Sequence, residues 1–415
     1  MRYIENDRKD WSRRILPRAT INHLDRQAIG FAREKYKEKM NQPHISEEVD
    51  GMTDEEFLTM LHLMSEGKVT NAAMLLLGNP KYKGLFEYNP SITWRLFGFH
   101  GNLRDYEVFN IPFVNVTEKI IAKIRILTYR YMPDPMSVYP IEIQQYDTRI
   151  LRELVNNAMM HSDYELVGAI DVNEEEECIR IINHGRFLPE SVETLLEKDS
   201  VPTFCRNQLL AEVMEQFNMI DPASRSIKQV YRILQERSFP MPEYDLSSYN
   251  QVSVTVYAKM LNEQYTYMLF KHPEFDLKTV YLLDQVAKGN VRNLSEDNIE
   301  YLRKQKLIHV CEDRWVVSSG LDQSMDVRQD RVKDEPSCDQ YYYDLIAGYL
   351  NLNEKSWTKD IGSLFKGILS DCQSRKQRDK KIADMVVDMR NKGVIYSDYE
   401  MKQIATAIRE AYNIR

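Results

Sequence analysis

The chain has 415 residues, a length that predicts two or three domains. Hydrophobic residues make up 43% and charged residues 28%, values typical of a globular protein with several cores. Only 15 residues are glycine and none stand as G-x-G, which excludes the Rossmann loop. The nearest approach to a Walker A loop, Gly362 to Gly367, is followed by Ile368 and Leu369, so that phosphate loop is also excluded. The net charge of −8 argues against a surface covered in nucleic-acid-binding charge, but it permits a local basic patch.

The five cysteines lie far apart and form no C-x-x-C pair, so neither a zinc site nor a disulfide framework is expected. We interpret them as free thiols of a reducing cytoplasm. No apolar run approaches the ~18 residues that a membrane span requires. The N-terminus carries charged residues and no secretory apolar segment. These features predict a cytoplasmic protein that does not enter a membrane.

The first 146 residues divide into a helical lead-in (1–50) and an α/β segment (51–146). Thr53 and Glu56 form a capping-box pattern at the start of a helix over 53–64. The other elements predicted here are a helix over 25–40, a turn and buried element over 68–77, a strand over 92–99 and a long helix over 114–131 that ends before two prolines.

Residues 147–258 show a mixed α/β pattern that predicts one domain. Its predicted elements are helices over 147–161, 207–218 and 225–237 and strands over 166–172, 178–182 and 251–257. Residues 270–320 follow the winged-helix order, with two helices over 278–287 and 295–306 and a hairpin around 312–313. An acidic stretch over 321–339 is expected to be a linker, and residues 340–415 a helical unit of winged-helix type.

The helix over 147–161 carries the chemistry-bearing residues. Glu153, Asn157 and His161 are spaced i, i+4 and i+8 beside an apolar arc. A carboxamide oxygen can ligate Mg²⁺, and a carboxylate one turn away can orient or deprotonate a water. The same spacing also fits an amphipathic helix whose polar stripe faces solvent, and spacing alone leaves both interpretations open.

The order of motifs along the chain resembles the GHKL ATP-binding domain shared by DNA gyrase B, heat-shock chaperones, MutL and histidine kinases. It is more similar to a bacterial family of RecG-related, ATP-binding transcriptional regulators. The matching segments are Leu151-Arg-Glu, Asn157-Ala, His161-Ser-Asp-Tyr, Asn183-His-Gly, Leu188-Pro, Arg206-Asn, Leu210-Ala and Pro240-Met-Pro-Glu-Tyr. The resemblance implies an α+β fold, namely a GHKL-like α/β sandwich over 147–258 followed by winged-helix-type units.

The resemblance also implies roles for individual residues. Asn157 would hold Mg²⁺ against the phosphates of ATP, and Glu153 would be the water-activating, catalytic carboxylate. Asn183 stands where GHKL proteins place the aspartate that reads the adenine amino group. The remaining nucleotide-binding residues implied by motif position are His161, Gly185, Arg206 and Asn207. From the residues alone, the favoured interpretation of Asn183-His-Gly is a turn that ends a strand.

The lid of the pocket departs from the family pattern. The family carries glycines at two positions where this chain has Ser224 and Ser226, and Pro222 removes one amide donor. Glycine lets backbone amides close over phosphates without a clash of Cβ. The two serines are therefore assigned to the nucleotide site with the expectation of weakened ATP binding, or of none.

A basic segment near the C-terminus is the candidate nucleic-acid contact. It carries Arg375, Lys376, Arg378, Lys380, Lys381, Arg390 and Lys392 against three aspartates. On a recognition helix these side chains would contact DNA phosphates, which position a protein without specifying sequence. The alternative is a solvated helix face, because Asp384 and Asp388 would repel phosphates.

Three candidate functions follow. The first is a dimeric, DNA-binding transcriptional regulator that responds to ATP with Mg²⁺. The second is a protein-interaction scaffold whose GHKL fold has lost ATP; an active ATPase in DNA processing or defence is a third. Family members usually carry an AlbA/Schlafen-like domain ahead of the segment seen here, so the sequence is expected to be a short member or a fragment.

Overall fold

The computed structural model describes residues 10–131, 141–189, 191–197, 205–220, 227–311 and 314–318. The chain divides into two compact units, residues 1–305 and 306–415. The linker expected at 321–339 and the unit expected at 340–415 lie outside the described residues. No helix in the described part of the chain combines the length and the apolar character that crossing a bilayer requires.

The described elements alternate between helices and short strands. The helices are α1 (Arg26–Met40), α2 (Pro43–Gly51), α3 (Asp54–Met60), α4 (Asn71–Leu77), α5 (Val116–Lys123), α6 (Thr148–His161), α7 (Val192–Glu197), α8 (Gln208–Gln216), α9 (Ile227–Glu236), α10 (Glu263–Lys271), α11 (Leu277–Ala287) and α12 (Glu296–Lys304). The strands are β1 (Met64–Ser65), β2 (Lys68–Val69), β3 (Ser91–Phe97), β4 (Leu103–Asn110), β5 (Thr128–Tyr131), β6 (Ile141–Gln144), β7 (Ile170–Glu174), β8 (Cys178–His184), β9 (Glu243–Asp245), β10 (Gln251–Tyr257), β11 (Ile308–Cys311) and β12 (Arg314–Val317).

A six-stranded sheet in the order β4-β3-β7-β8-β10-β9 organises the first unit. All neighbouring strands are antiparallel except β3 and β7. The fold is therefore α+β, with a mostly antiparallel sheet and helices. Because β3 pairs with β7, the sheet includes residues on both sides of the domain boundary expected at 146/147.

The two faces of this sheet differ in character. Val172, Ile181 and Val254 lie opposite one another on neighbouring strands and are buried on the face covered by helices, where α6 packs on β8. The opposite face is more polar and carries, for example, the ion pair between Arg95 and Asp171 at 2.6 Å. This period-two alternation places the core, and any cavity within it, on the helical side.

The central helix α6 forms where the sequence predicts it. Asp147 caps its N-terminus by accepting the backbone N–H of Arg149. The apolar arc is buried as expected, with Leu151, Leu154 and Val155 each exposed by 3% or less. Burying one such side chain contributes on the order of 2 kcal/mol, so packing and capping together favour the helix at this position.

The long helix expected over 114–131 is wrong. The helix α5 ends at Lys123, and the chain is extended from Ile124 into β5. The buried carboxylate of Glu174 accepts a hydrogen bond of 2.6 Å from Nε of Arg125, and the backbone N–H of Gln145 donates to the carbonyl of Leu127 at 2.8 Å. These distant partners hold the segment extended and override its helix propensity.

Other predictions are confirmed with shifted ends. The strand expected over 166–172 begins only at Ile170, after Gly168 at a φ of +147°. The capping box at Thr53 and Glu56 forms as expected. The helices expected at 278–287 and 295–306 are α11 and α12. In the second unit, β11 and β12 form the expected antiparallel hairpin.

Candidate functional site

A cavity of about 510 Å³ lies between the covered face of the sheet and the helices α6 and α8. Its floor is one row of cross-strand neighbours, Ile181, Val254 and Tyr244, followed by the pair Asn183 and Val252. The volume falls within the ~300–1,000 Å³ typical of small-molecule sites. The site is thus mostly apolar, with a few polar groups placed by regular elements.

The helix α6 brings two of its three predicted residues to the cavity. Asn157 and His161 line it, one helical turn apart. Glu153 is only 7% exposed and does not line it. The Asn157 Nδ2 donates a hydrogen bond of 3.0 Å to Oε1 of Glu153. The carboxamide oxygen is therefore the atom of Asn157 that remains for a ligand.

Asn183 sits at the end of β8 and lines the floor of the cavity at 8% exposure. Its Nδ2 donates to the backbone carbonyl of His184 at 3.2 Å. Because a carbonyl can only accept, the amide nitrogen must face that carbonyl, which assigns the orientation of the side chain. The oxygen of Asn183 is left as an acceptor, as it is for Asn157.

His161 is a neutral imidazole at physiological pH. Burial, reinforced by the nearby charge of Arg206, lowers the pKa of His161 to about 4. Tyr244, across the cavity, is also un-ionised, because burial and the charge of Glu153 raise the pKa of its hydroxyl above its usual range. The cavity therefore offers neutral hydrogen-bonding groups from α6 and β9.

Gly185 and Arg206 lie next to the cavity but do not line it. The guanidinium of Arg206 pairs with Asp163 at 3.0 Å. Gly185 adopts a φ of +110°, and a Cβ there would lie 3.2 Å from Nε of Arg206. The glycine thus lets the chain turn out of β8 against this ion pair. Both predicted residues shape the wall of the site and have no direct access to it.

Asn207 is fully buried and holds two elements together. Its Nδ2 donates to the carbonyls of Met160 and Ser162 at 3.0 and 2.8 Å. These contacts tie the end of α6 to the start of α8, and Asn207 does not line the cavity. The structure therefore places this predicted nucleotide-binding residue behind the wall, in a position to support it.

The sequence reasoning missed the wall formed by α8. Gln208, Ala211, Glu212 and Glu215 all line the cavity from this helix. Their spacing of i, i+3, i+4 and i+7 places them on one face of a helix, and this spacing could have identified them in the sequence. Two carboxylates on that face give this side of the cavity an acidic character, although Glu212 pairs with Arg13 at 3.3 Å.

Some predicted residues cannot be placed. Ser224 and Ser226 of the lid lie outside the described residues, as do all seven basic residues of the candidate DNA contact. The described residues contain no group of three or more histidine, cysteine or acidic side chains placed to hold a metal ion. Cys178 and Cys205 are free thiols, whereas Cys311 is disulfide-bonded, which corrects the expectation for that residue.

Comparison with known proteins identifies no function. Residues 1–91 match the family model of a domain of unknown function, DUF8451. No curated protein matches the chain. The chain is similar to the crystal structure of the DIP2311 protein from Corynebacterium diphtheriae, with a TM-score of 0.50 and 15% identity. That match covers 77% of this chain and 66% of the other, and at this identity it shows a likeness of fold alone.

Proposed function

We propose that the cavity binds ATP and that the chain is a nucleotide-responsive, DNA-binding regulator with a GHKL-like domain. One observation carries the proposal. Asn157 and Asn183, assigned from the sequence to Mg²⁺ and to adenine, line one cavity although 26 positions separate them in the chain. A polar stripe that only faced solvent would not converge with a strand residue in this way.

The base end of the proposed site is the floor of the sheet. Ile181, Val252 and Val254 supply an apolar surface for a planar ring, and Phe187 lies beside Tyr244 with ring centres 5.9 Å apart. The acceptor oxygen of Asn183 matches the amino group of adenine. Guanine carries an acceptor oxygen at the corresponding place, so the site should prefer ATP over GTP.

The other end of the site fits a magnesium ion. The oxygen of Asn157 is a hard ligand of the type that Mg²⁺ prefers. The carboxylates of Glu212 and Glu215 line the same cavity against one arginine, Arg186, so phosphates there would need an accompanying cation. When bound, Mg²⁺ would neutralise phosphate charge at this end. We therefore expect nucleotide binding to require the divalent ion.

The geometry favours binding over hydrolysis. A water-activating carboxylate must reach the reacting centre, either directly or through one water. Glu153 is buried, accepts a hydrogen bond from Asn157 and does not line the cavity. We infer that the nucleotide acts as a ligand that biases two conformations of the protein. Glu153 is assigned to orienting the amide of Asn157.

Calorimetric titration of the full chain with ATP, in the presence and absence of Mg²⁺, tests the proposal. We expect binding that needs Mg²⁺ and that weakens in Asn157→Ala. The matched control is Asn173→Ala, because Asn173 lies in the same sheet on the opposite face. No binding of ATP to the parent protein would reject the proposal and favour the ATP-free scaffold.

DNA binding rests on the sequence of the basic segment. The helices α11 and α12 and the hairpin β11–β12 follow the winged-helix order along the chain, which supports the proposal of DNA-binding units. A mobility-shift assay at low and high salt tests it with the double variant Lys380→Glu and Lys381→Glu. Binding that is absent at low salt, or unchanged in the variant, would reject this contact. Sedimentation with and without ATP tests the proposed dimer.

A further inference from the structure

The helix α8, which forms the acidic wall of the cavity, lacks a cap from its own N-terminal residue. Asn207 occupies the N-cap position, but its side chain makes no cap hydrogen bond. As described above, its amide is committed to the end of α6. The first backbone N–H groups of a helix need partners from elsewhere in such a case.

The partners come from the N-terminal segment Asp10–Arg13, almost 200 positions away in the chain. The carboxylate of Asp10 accepts the backbone N–H of Leu209 at 2.9 Å. The hydroxyl oxygen of Ser12 accepts the backbone N–H of Leu210 at 3.1 Å. The two capping groups are therefore supplied by a different part of the fold.

Further contacts hold segment 10–13 in the position from which it caps α8. Ser12 is fully buried, and its hydroxyl donates to Asp10 at 2.6 Å, so its lone pairs face the helix. Arg13 pairs with the cavity residue Glu212 at 3.3 Å. Trp11 stacks on Tyr164, which follows α6, with ring centres 4.7 Å apart. The segment therefore contacts both α8 and the chain that follows α6, and these two helices border the cavity.

We propose that Asp10 and Ser12 are positioning residues of the nucleotide site, so that docking of segment 10–13 and binding of ATP stabilise each other. This inference rests on the proposed function. The segment fixes the first turn of α8, from which Gln208 and Ala211 reach the cavity, and Arg13 pairs with Glu212 on the next turn. By linkage, a ligand that requires this wall must strengthen docking by the same factor that docking strengthens its binding.

The inference also gives the N-terminal segment a role. It lies within residues 1–91, which match a domain whose function is unknown. In this chain that region caps the helix that forms one wall of a cavity lined by residues between 154 and 254. Detachment of segment 10–13 would leave two buried N–H groups without acceptors and loosen the wall.

The test combines Ser12→Ala and Asp10→Ala with two matched controls. Asp276→Ala and Ser295→Ala each remove a comparable cap, from α11 and α12, and neither of these helices lines the cavity. A helix cap is worth roughly a fivefold change in a local equilibrium. We expect amide exchange at Leu209 and Leu210 to accelerate about fivefold in the N-terminal variants, and the Kd for Mg-ATP to rise by a similar factor. The controls should leave both unchanged.

The outcomes separate this inference from the proposed function. Faster exchange with an unchanged Kd would overturn the coupling while leaving ATP binding intact. Unchanged exchange in both variants would overturn the capping contact itself. A parent protein that binds no Mg-ATP would overturn the proposed function and, with it, this inference. If either alanine variant unfolds, Asp10→Asn retains one acceptor oxygen and provides a folded variant in which both effects should be smaller and in the same direction.

Discussion

Replacement of Asn183 by alanine should reduce both the affinity for ATP and the preference for ATP over GTP. The residue lies on the floor of the cavity at 8% exposure, and its amide nitrogen is held by the carbonyl of His184. A neutral hydrogen bond from the remaining oxygen is worth about 1 kcal/mol, which corresponds to roughly a fivefold change in Kd.

The ratio of the affinities for ATP and GTP tests the assignment of Asn183 more stringently than the affinity for ATP alone. In the parent protein, the oxygen of Asn183 would face the O6 oxygen of guanine, leaving two acceptors opposed and a buried group unsatisfied. We expect GTP to bind at least about tenfold more weakly than ATP. Alanine removes both the favourable contact with adenine and the unfavourable one with guanine, so the two nucleotides should approach equal affinity.

Calorimetry on the parent and three variants, the first of them Asn183→Ala, measures both affinities. Asn183→Asp keeps the acceptor and should retain the preference for ATP, although loss of the bond to His184 should lower the stability. Asn173→Ala, on the other face of the sheet, should behave as the parent does. An unchanged ratio of ATP to GTP affinity in Asn183→Ala would refute the assignment of the base end.

Three further predictions concern His161 and Ala211, which line the cavity, and Gly185, at the turn after β8. His161 has a folded pKa of about 4 against ~6.5 unfolded, so its contribution to stability is present above pH 6.5 and is lost as the pH falls toward 4. Between pH 7 and 5 the parent should lose about 2 kcal/mol more unfolding free energy than His161→Gln, measured in urea. Ala211→Phe should fill the cavity and raise the Kd for ATP at least about tenfold, with a nearly unchanged melting temperature; tight binding in this variant would exclude the cavity as the site. Gly185→Ala should lower the unfolding free energy by about 2 kcal/mol, because its φ is +110° and a Cβ would press on Arg206. Gly30→Ala, where a Cβ meets nothing within 4 Å, should be neutral or stabilising.

The elements that the sequence predicts well have local causes. For α6, the capping residue Asp147 and the buried arc both lie within the fifteen residues 147–161. The capping box of α3 is likewise contained in Thr53 and Glu56. A reader of the sequence can recover such elements because their partners are neighbours in the chain.

The elements that the sequence misses depend on distant partners. The extended chain after α5 is held by Glu174, 49 positions from Arg125. The capping of α8 depends on Asp10 and Ser12, almost 200 positions away. Nothing in the local pattern distinguishes Asp10 from any other acidic residue near a terminus. Such contacts require the topology of the whole unit before they can be inferred.

The candidate site combines both kinds of information, and the geometry of α6 explains its outcome. Position along the helix separates the three residues. Asn157 and His161 lie on successive turns that line the cavity, whereas Glu153 lies about 6 Å nearer the N-terminus of α6 and is buried. The resemblance to the GHKL domain assigned all three to one nucleotide site. The burial of Glu153 and its hydrogen bond with Asn157 separate this carboxylate from the two residues that line the cavity, which is the physical reason to propose ligand binding without hydrolysis.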